Sequence, residues 1–173
     1  DVTASDDEGE TWSILSRNIA STRRRKGKEI EFVEPSLLRT LDGSIHLFIR
    51  THEGEEGAYT SYCISGDSGQ SFSQPKRTSI EGFPLDPLLL SDGRALLSYG
   101  WRKKKPFGVR FRIAEPDLSH FDSAEERTIG PSSTSPDCGY PWAVQIEKNR
   151  VLIVYYNNEP GGTRTIRGEF LTI

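Results

Sequence analysis

The chain has 173 residues, a net charge of −3, 34% hydrophobic residues and no methionine. That length suits one domain large enough to bury a core. The near-balanced charge, and the lack of any apolar run of bilayer-spanning length, give no support to a nucleic-acid or membrane partner. The opening residues, DVTASDDEGE, lack the basic n-region and apolar h-region of a signal peptide. With the missing methionine they predict a segment of a longer protein.

In chain order, the first predicted element is a tight turn, SDDEGETW at Ser5–Trp12, repeated as SGDSGQSF at Ser65–Phe72. Each copy reads as a self-stapled hairpin. The carboxylate of Asp7 or Asp67 accepts N–H bonds within the turn, a glycine supplies the left-handed residue, and an aromatic packs beneath. These turns serve folding, so Asp7 and Asp67 are set aside as site residues. Between them, Ser21–Lys28 reads as a basic loop and Thr51–Gly57 as an acidic turn.

Three stretches then share one plan, beginning at Pro35, Pro87 and Pro141. Each runs apolar, turns at a polar pair (Asp42-Gly43, Asp92-Gly93, Lys148-Asn149) and runs apolar again. Asp-Gly is a strong hairpin signal because a tight primed turn needs positive φ, and the prolines recur at a period near that of four-stranded propeller blades. Ile45, Leu47 and Ile49 alternate with His46, Phe48 and Arg50, the strand pattern. Val151–Tyr156 is nearly all apolar, as a strand covered on both sides requires. Asp117-Leu-Ser-His-Phe121 reads as a decayed third copy of the turn. No stretch has a capped helical stripe, so almost no helix is expected beyond a turn near Asp122–Arg127. The fold class predicted is all-β, a partial propeller of about three to four four-stranded antiparallel blades. The predicted blades span about 1–30 (partial), 31–82, 83–130 and 131–173 of a single segment covering 1–173.

Smaller features add little. Cys63 and Cys138 are expected to be unpaired buried thiols. His46, His52 and His120 lack metal-ligand spacing, so neither a metal nor a cofactor is expected. The basic runs Arg23–Lys26 and Arg102–Lys105 read as solvated loops rather than phosphate-binding patches.

On the two S-x-D-x-G turns and the blade-sized repeats, the sequence resembles the sialidase (neuraminidase) superfamily of Asp-box, or BNR-repeat, propellers, specifically the C-terminal half. Further segments carry the likeness: Val33-Glu34-Pro35 leading to Arg50, Ser98-Tyr-Gly-Trp-Arg102 leading to Arg110, Asp137-Cys-Gly-Tyr140-Pro, and Ile166-Arg-Gly-Glu-Phe-Leu. The resemblance implies a retaining exo-glycosidase acting on an acidic sugar. A carboxylate nucleophile would be repelled by the substrate's own carboxylate, so a neutral tyrosine attacks. A glutamate takes its proton, and arginines clamp the sugar acid.

Carried over by position, Tyr140 is the nucleophile, Glu34 its base, and Arg50 and Arg110 members of the clamp. Arg102 is a second candidate for the clamp, and Asp137 and Asp86 line the same mouth. Arg110 is preferred over Arg112 on the expectation that only one of them faces the centre. For Arg50 the plain alternative is a surface pair with Glu53 or Glu55. The resemblance places the family's acid/base aspartate and first arginine in earlier blades, and no segment here matches them. Two other readings stand beside the enzyme: a non-catalytic carbohydrate-binding or scaffold propeller, and an inactive fragment. The partners implied are a carbohydrate and, to cover exposed end blades, a second copy or a missing N-terminal half. The resemblance suggests a secreted or periplasmic location.

Overall fold

The computed structural model describes residues 1–25, 27–54 and 57–173, excluding the side chains at 23–25 and 28. The basic run Arg23–Lys26 and the alternative partner Glu55 therefore lie wholly or partly outside the described residues.

Among the described residues, fourteen strands form four antiparallel sheets. The first sheet is a hairpin of β1 (Val2–Ala4) and β2 (Ser13–Ser16). The second holds β3 (Arg23–Arg25), β4 (Lys28–Arg39), β5 (Ile45–Glu53), β6 (Ala58–Ser65) and β7 (Lys76–Arg77), in that order. The third holds β8 (Leu85–Leu89), β9 (Ala95–Trp101), β10 (Phe107–Ala114) and β11 (Arg127–Ser133). The fourth holds β12 (Gly139–Glu147), β13 (Arg150–Asn158) and β14 (Arg164–Thr172). Strand numbers of two, five, four and three replace the uniform four expected from the repeat. The Pro-turn stretches supply the central hairpins β4–β5, β8–β9 and β12–β13.

Period-two patterning decides how the sheets stack. On β5, Leu47 and Ile49 join Cys63, packing with Ile19, Ala20 and Phe32. Phe48, one residue out of phase, packs the other way with Leu97, Tyr99 and Phe121. On β9, Leu96 points away from that cluster, toward Val151, Ile153 and Tyr155 of the fourth sheet. The second and third sheets are thus apolar on both faces, the condition for a layer between layers. The fourth sheet leaves an apolar face open: Trp142, Val144, Ile146, Val154, Ile166 and Phe170 are exposed. The result is a partial β-propeller-like stack whose strands β4, β8 and β12 lie side by side.

The two turns close as expected. Asp7 Oδ1 accepts the Thr11 N–H at 2.9 Å, and Ser5 Oγ accepts the Gly9 N–H at 2.8 Å. Asp67 and Ser65 repeat both bonds at 2.9 Å with Ser71 and Gly69. Hydrogen bonds from the side chain and backbone of Thr11 or Ser71, then from Ser5 or Ser65, hold both carboxyls at a pKa of about 2. Asp117 forms no such hairpin: its carboxylate accepts the Ser119 N–H, and a single 3-10 turn, Phe121–Ser123, follows. The segment has no glycine where the two turns have Gly9 and Gly69. Cys63 and Cys138 are buried and unpaired.

Candidate functional site

Glu34 and Tyr140 each interrupt a strand. The ladder between β4 and β5 shifts register between Val33 and Pro35, and that between β12 and β13 shifts between Gly139 and Trp142. The residues at these bulges, Glu34 at φ 50° and Tyr140 at φ 49°, adopt left-handed backbone that non-glycine residues rarely hold. Such conformations cost of order 1–3 kcal/mol each and persist where the surroundings enforce them, often at functional sites. Here they aim two side chains, 106 residues apart, at each other: Tyr140 Oη donates to Glu34 Oε1 at 2.6 Å. Arg50, on β5, donates to both oxygens of the same carboxylate at 3.0 Å.

A pair of glycines brings the third participant in. A Cβ on Gly139 would lie 2.8 Å from the Gly100 Cα, so only bare backbone permits this approach of β9 to β12. Two residues past Gly100, the Arg102 guanidinium lies 4.9 Å from the Tyr140 ring centroid. Phe83, fixed by its N–H bond to the Gly100 carbonyl at 2.9 Å, lies under Arg50 at 4.3 Å and near Arg102 at 5.9 Å. Arg102 Nη2 donates to Tyr156 Oη at 3.0 Å. Tyr156 donates onward to Asp137 Oδ1 at 2.6 Å, and Arg164 Nε donates to Asp137 Oδ2 at 2.8 Å.

These contacts set the charge states. Burial raises the Glu34 pKa, but the hydrogen bonds from Tyr140 and Arg50 and the charges of Arg50 and Arg102 outweigh it, and the net shift is downward. Tyr140 is shifted upward, first by its bond to Glu34 and then by burial. The resting pair is therefore a phenol donating to a carboxylate. Nothing among the described residues donates to the Tyr140 oxygen, so its lone pairs are free.

An open groove of about 500 Å³ runs from this pair along β4, β8 and β12, lined by Glu34, Leu37, Asp86, Tyr140 and Trp142. Asp86 accepts the Ala143 N–H at 2.8 Å and has no ionic partner among the described residues; burial raises its pKa.

The structure thus brings Glu34, Arg50, Arg102 and Tyr140 together, with Asp137 joined through Tyr156. Arg110 is not among them. It pairs with Glu126 and lies over the Trp101 ring at 3.8 Å. Arg112 reaches the same Glu126 at 3.6 Å. Residues two apart share a strand face, so the expectation that only one of the two faces the centre does not hold. Arg50 meets Glu34 rather than Glu53, whose carboxylate accepts from Tyr59. Sequence reasoning missed Phe83 and Tyr156, which no motif marks.

No protein-family model and no curated protein matches the chain. Solved structures do. A protein of unknown function from Dyadobacter fermentans DSM 18053 is similar at 37% identity and TM-score 0.86, over 99% of this chain and 44% of that one. The partial β-propeller-like fold is shared with two glycoside hydrolases. A sialidase, Hadza microbial sialidase Hz136, is similar at 14% identity and TM-score 0.62, over 99% of this chain and 39% of that one. Xylan beta-1,4-xylosidase from Bacillus halodurans C-125 gives 15% and 0.56, over 94% and 34%. The chain spans less than half the length of each.

Proposed function

We propose that this chain is a sialidase-like propeller segment, each sheet a blade or part of one, that carries the Tyr/Glu half of a retaining glycosidase site for an acidic sugar. The observation that supports this most is the 2.6 Å bond between Tyr140 and Glu34, made from two strained bulges on separate sheets. In this reading the Tyr140 oxygen attacks the anomeric carbon as the glycosidic C–O bond breaks, the aglycone leaves with that bond's electron pair, and the phenol proton passes to Glu34. Water then displaces the tyrosine, which takes back that proton, and the water gives its own to Glu34 or solvent. Arg102 and Arg50 attract the sugar carboxylate. Arg50 is partly committed to Glu34, so its share in the clamp falls as Glu34 keeps its charge. The Ser5–Trp12 and Ser65–Phe72 turns, read as Asp boxes, staple outer hairpins and take no part in the chemistry.

An aryl sialoside tests the proposal directly, because an aryl leaving group departs with little need of a protonating acid. Turnover that disappears in Tyr140→Phe supports the enzyme. Binding of the sugar acid without turnover, unchanged by Tyr140→Phe, identifies a carbohydrate-binding propeller instead. The open apolar face of the fourth sheet leads us to expect that the isolated chain self-associates. Sedimentation should give a mass well above 19.4 kDa; a clean monomer would end that expectation.

A further inference from the structure

We infer that Tyr156 is a positioning residue that holds Arg102 beside Tyr140 while leaving its charge unspent. The inference rests on the reading of this site as an acidic-sugar site. Arg50 is in direct contact with a carboxylate, Glu34, as are Arg110 and Arg112 with Glu126 and Arg164 with Asp137. Arg102 has no carboxylate within ion-pair distance among the described residues. Its hydrogen bond is to the neutral phenol of Tyr156, and its buried Nε has no partner.

Asp137 lies one hydrogen bond further out, where, after the hydrogen bonds from Tyr156 and Arg164, the Arg102 charge still helps lower its pKa. The Tyr156 hydroxyl stands between them, accepting from Arg102 at 3.0 Å and donating to Asp137 at 2.6 Å. A carboxylate placed directly on the guanidinium would fix it equally well but would cancel the field an incoming anion needs. The phenol fixes position without supplying charge. It stays a phenol because burial, then the bond to Asp137, moves its pKa to about 12. The Tyr156 ring also lies 6.1 Å from the Tyr140 ring, so Arg102 is bounded by both.

The test is NMR of the 15N-labelled chain, following the Arg102 Nε–Hε signal, assigned by its loss in Arg102→Lys. Tyr156→Phe keeps the ring and removes only the hydroxyl. It should collapse the Arg102 signal into the exchange-averaged arginine envelope while the amide spectrum keeps its dispersion. Asp137→Asn should leave the signal in place. Titration with sodium acetate should shift the signal in the unaltered chain, and N-acetylneuraminate should bind with Kd raised about 10-fold by Tyr156→Phe, the size of one charged hydrogen bond. An unmoved Arg102 signal and unchanged Kd in a folded Tyr156→Phe chain would overturn the inference, as would equal losses in Asp137→Asn. Acetate shifts and signal collapse without N-acetylneuraminate binding would uphold the positioning role and count against the acidic-sugar reading alone.

Discussion

Two tyrosine–carboxylate–arginine triads flank Arg102, and they are built from the same parts. In one, Tyr140 donates to Glu34 at 2.6 Å and Arg50 holds the carboxylate. In the other, Tyr156 donates to Asp137 at 2.6 Å and Arg164 holds it. Their surroundings separate them. Glu34 and Arg50 keep 30% and 18% of their side-chain surface, whereas Asp137 and Arg164 keep 46% and 65%. The first triad spans three strands in two sheets and stands on two left-handed bulges; the second joins segments 19 and 27 residues apart in relaxed backbone. The decisive difference is at the phenol oxygens. Tyr156 already accepts a bond from Arg102, while Tyr140 accepts none among the described residues. One oxygen is open and the other is occupied, and our proposal assigns the first to the reaction and the second to positioning.

The sharpest way to break that division is to remove each hydroxyl and compare. Tyr140→Phe should lower kcat on an aryl sialoside by about 10³-fold or more, because no oxygen remains to form the glycosyl intermediate. Glu34→Gln should cost about 10²-fold, the usual size of a lost general base. Tyr156→Phe should act chiefly on KM. Equal kcat losses from the two Tyr→Phe changes would erase the distinction.

Next in size is the contact that lets Arg102 serve both triads. Gly139→Ala should destabilise the chain by about 2–3 kcal/mol in urea unfolding, since its Cβ meets the Gly100 backbone at φ 106°. Gly162→Ala is the control, with φ 82° and nothing within 4 Å. It carries only the backbone strain and should cost about 1 kcal/mol. Equal losses would mean that the close approach of β9 to β12 contributes nothing.

That contact also explains what the sequence reveals and what it hides. The hairpins β4–β5, β8–β9 and β12–β13 are legible because proline, period-two patterning and turn residues are local signals. Glu34, Tyr140 and Arg50 are legible only by resemblance. Choosing Arg102 over Arg110 needs the distance between two sheets, which depends on Gly100 and Gly139, 39 residues apart, and nothing local in either segment says that the two meet. The bulges are hidden for a related reason: positive φ is signalled by glycine, and these positions hold Glu and Tyr. Tyr156 reads as one more apolar member of Val151–Tyr156, and only the fourth sheet's register turns its hydroxyl toward Asp137.

Titration distinguishes the triads more gently. Glu34 has a folded pKa below the ordinary carboxylate value of 4.5, so its contribution to stability is present above that value and lost as pH falls through the lowered one. Tyr156 has a raised pKa, so its contribution is complete below 10 and lost as pH rises through about 12. Carboxyl and tyrosine-ring NMR should show the Glu34 transition displaced downward and Tyr156 still protonated at pH 11. Turnover should fall on the acid side together with Glu34. An acid limb that follows Asp137 instead would exchange the roles of the two triads.

The smallest effect expected is at the outer end of the brace. Arg164→Ala removes an ion pair whose partners are both largely in water, where such pairs contribute little and often nothing. The urea midpoint should not change measurably, and the Arg102 signal should not move. The reason is geometric: Asp137 uses Oδ2 for Arg164 and Oδ1 for Tyr156, so the bond that reaches Arg102 survives without the arginine. The corresponding change in the other triad, Arg50→Ala, takes a cation from a carboxylate that is more deeply set and bonded to the open phenol. It should let the Glu34 pKa rise and lower turnover well beyond any effect of Arg164→Ala, because there the arginine helps set the charge of the group that, in our proposal, receives the proton.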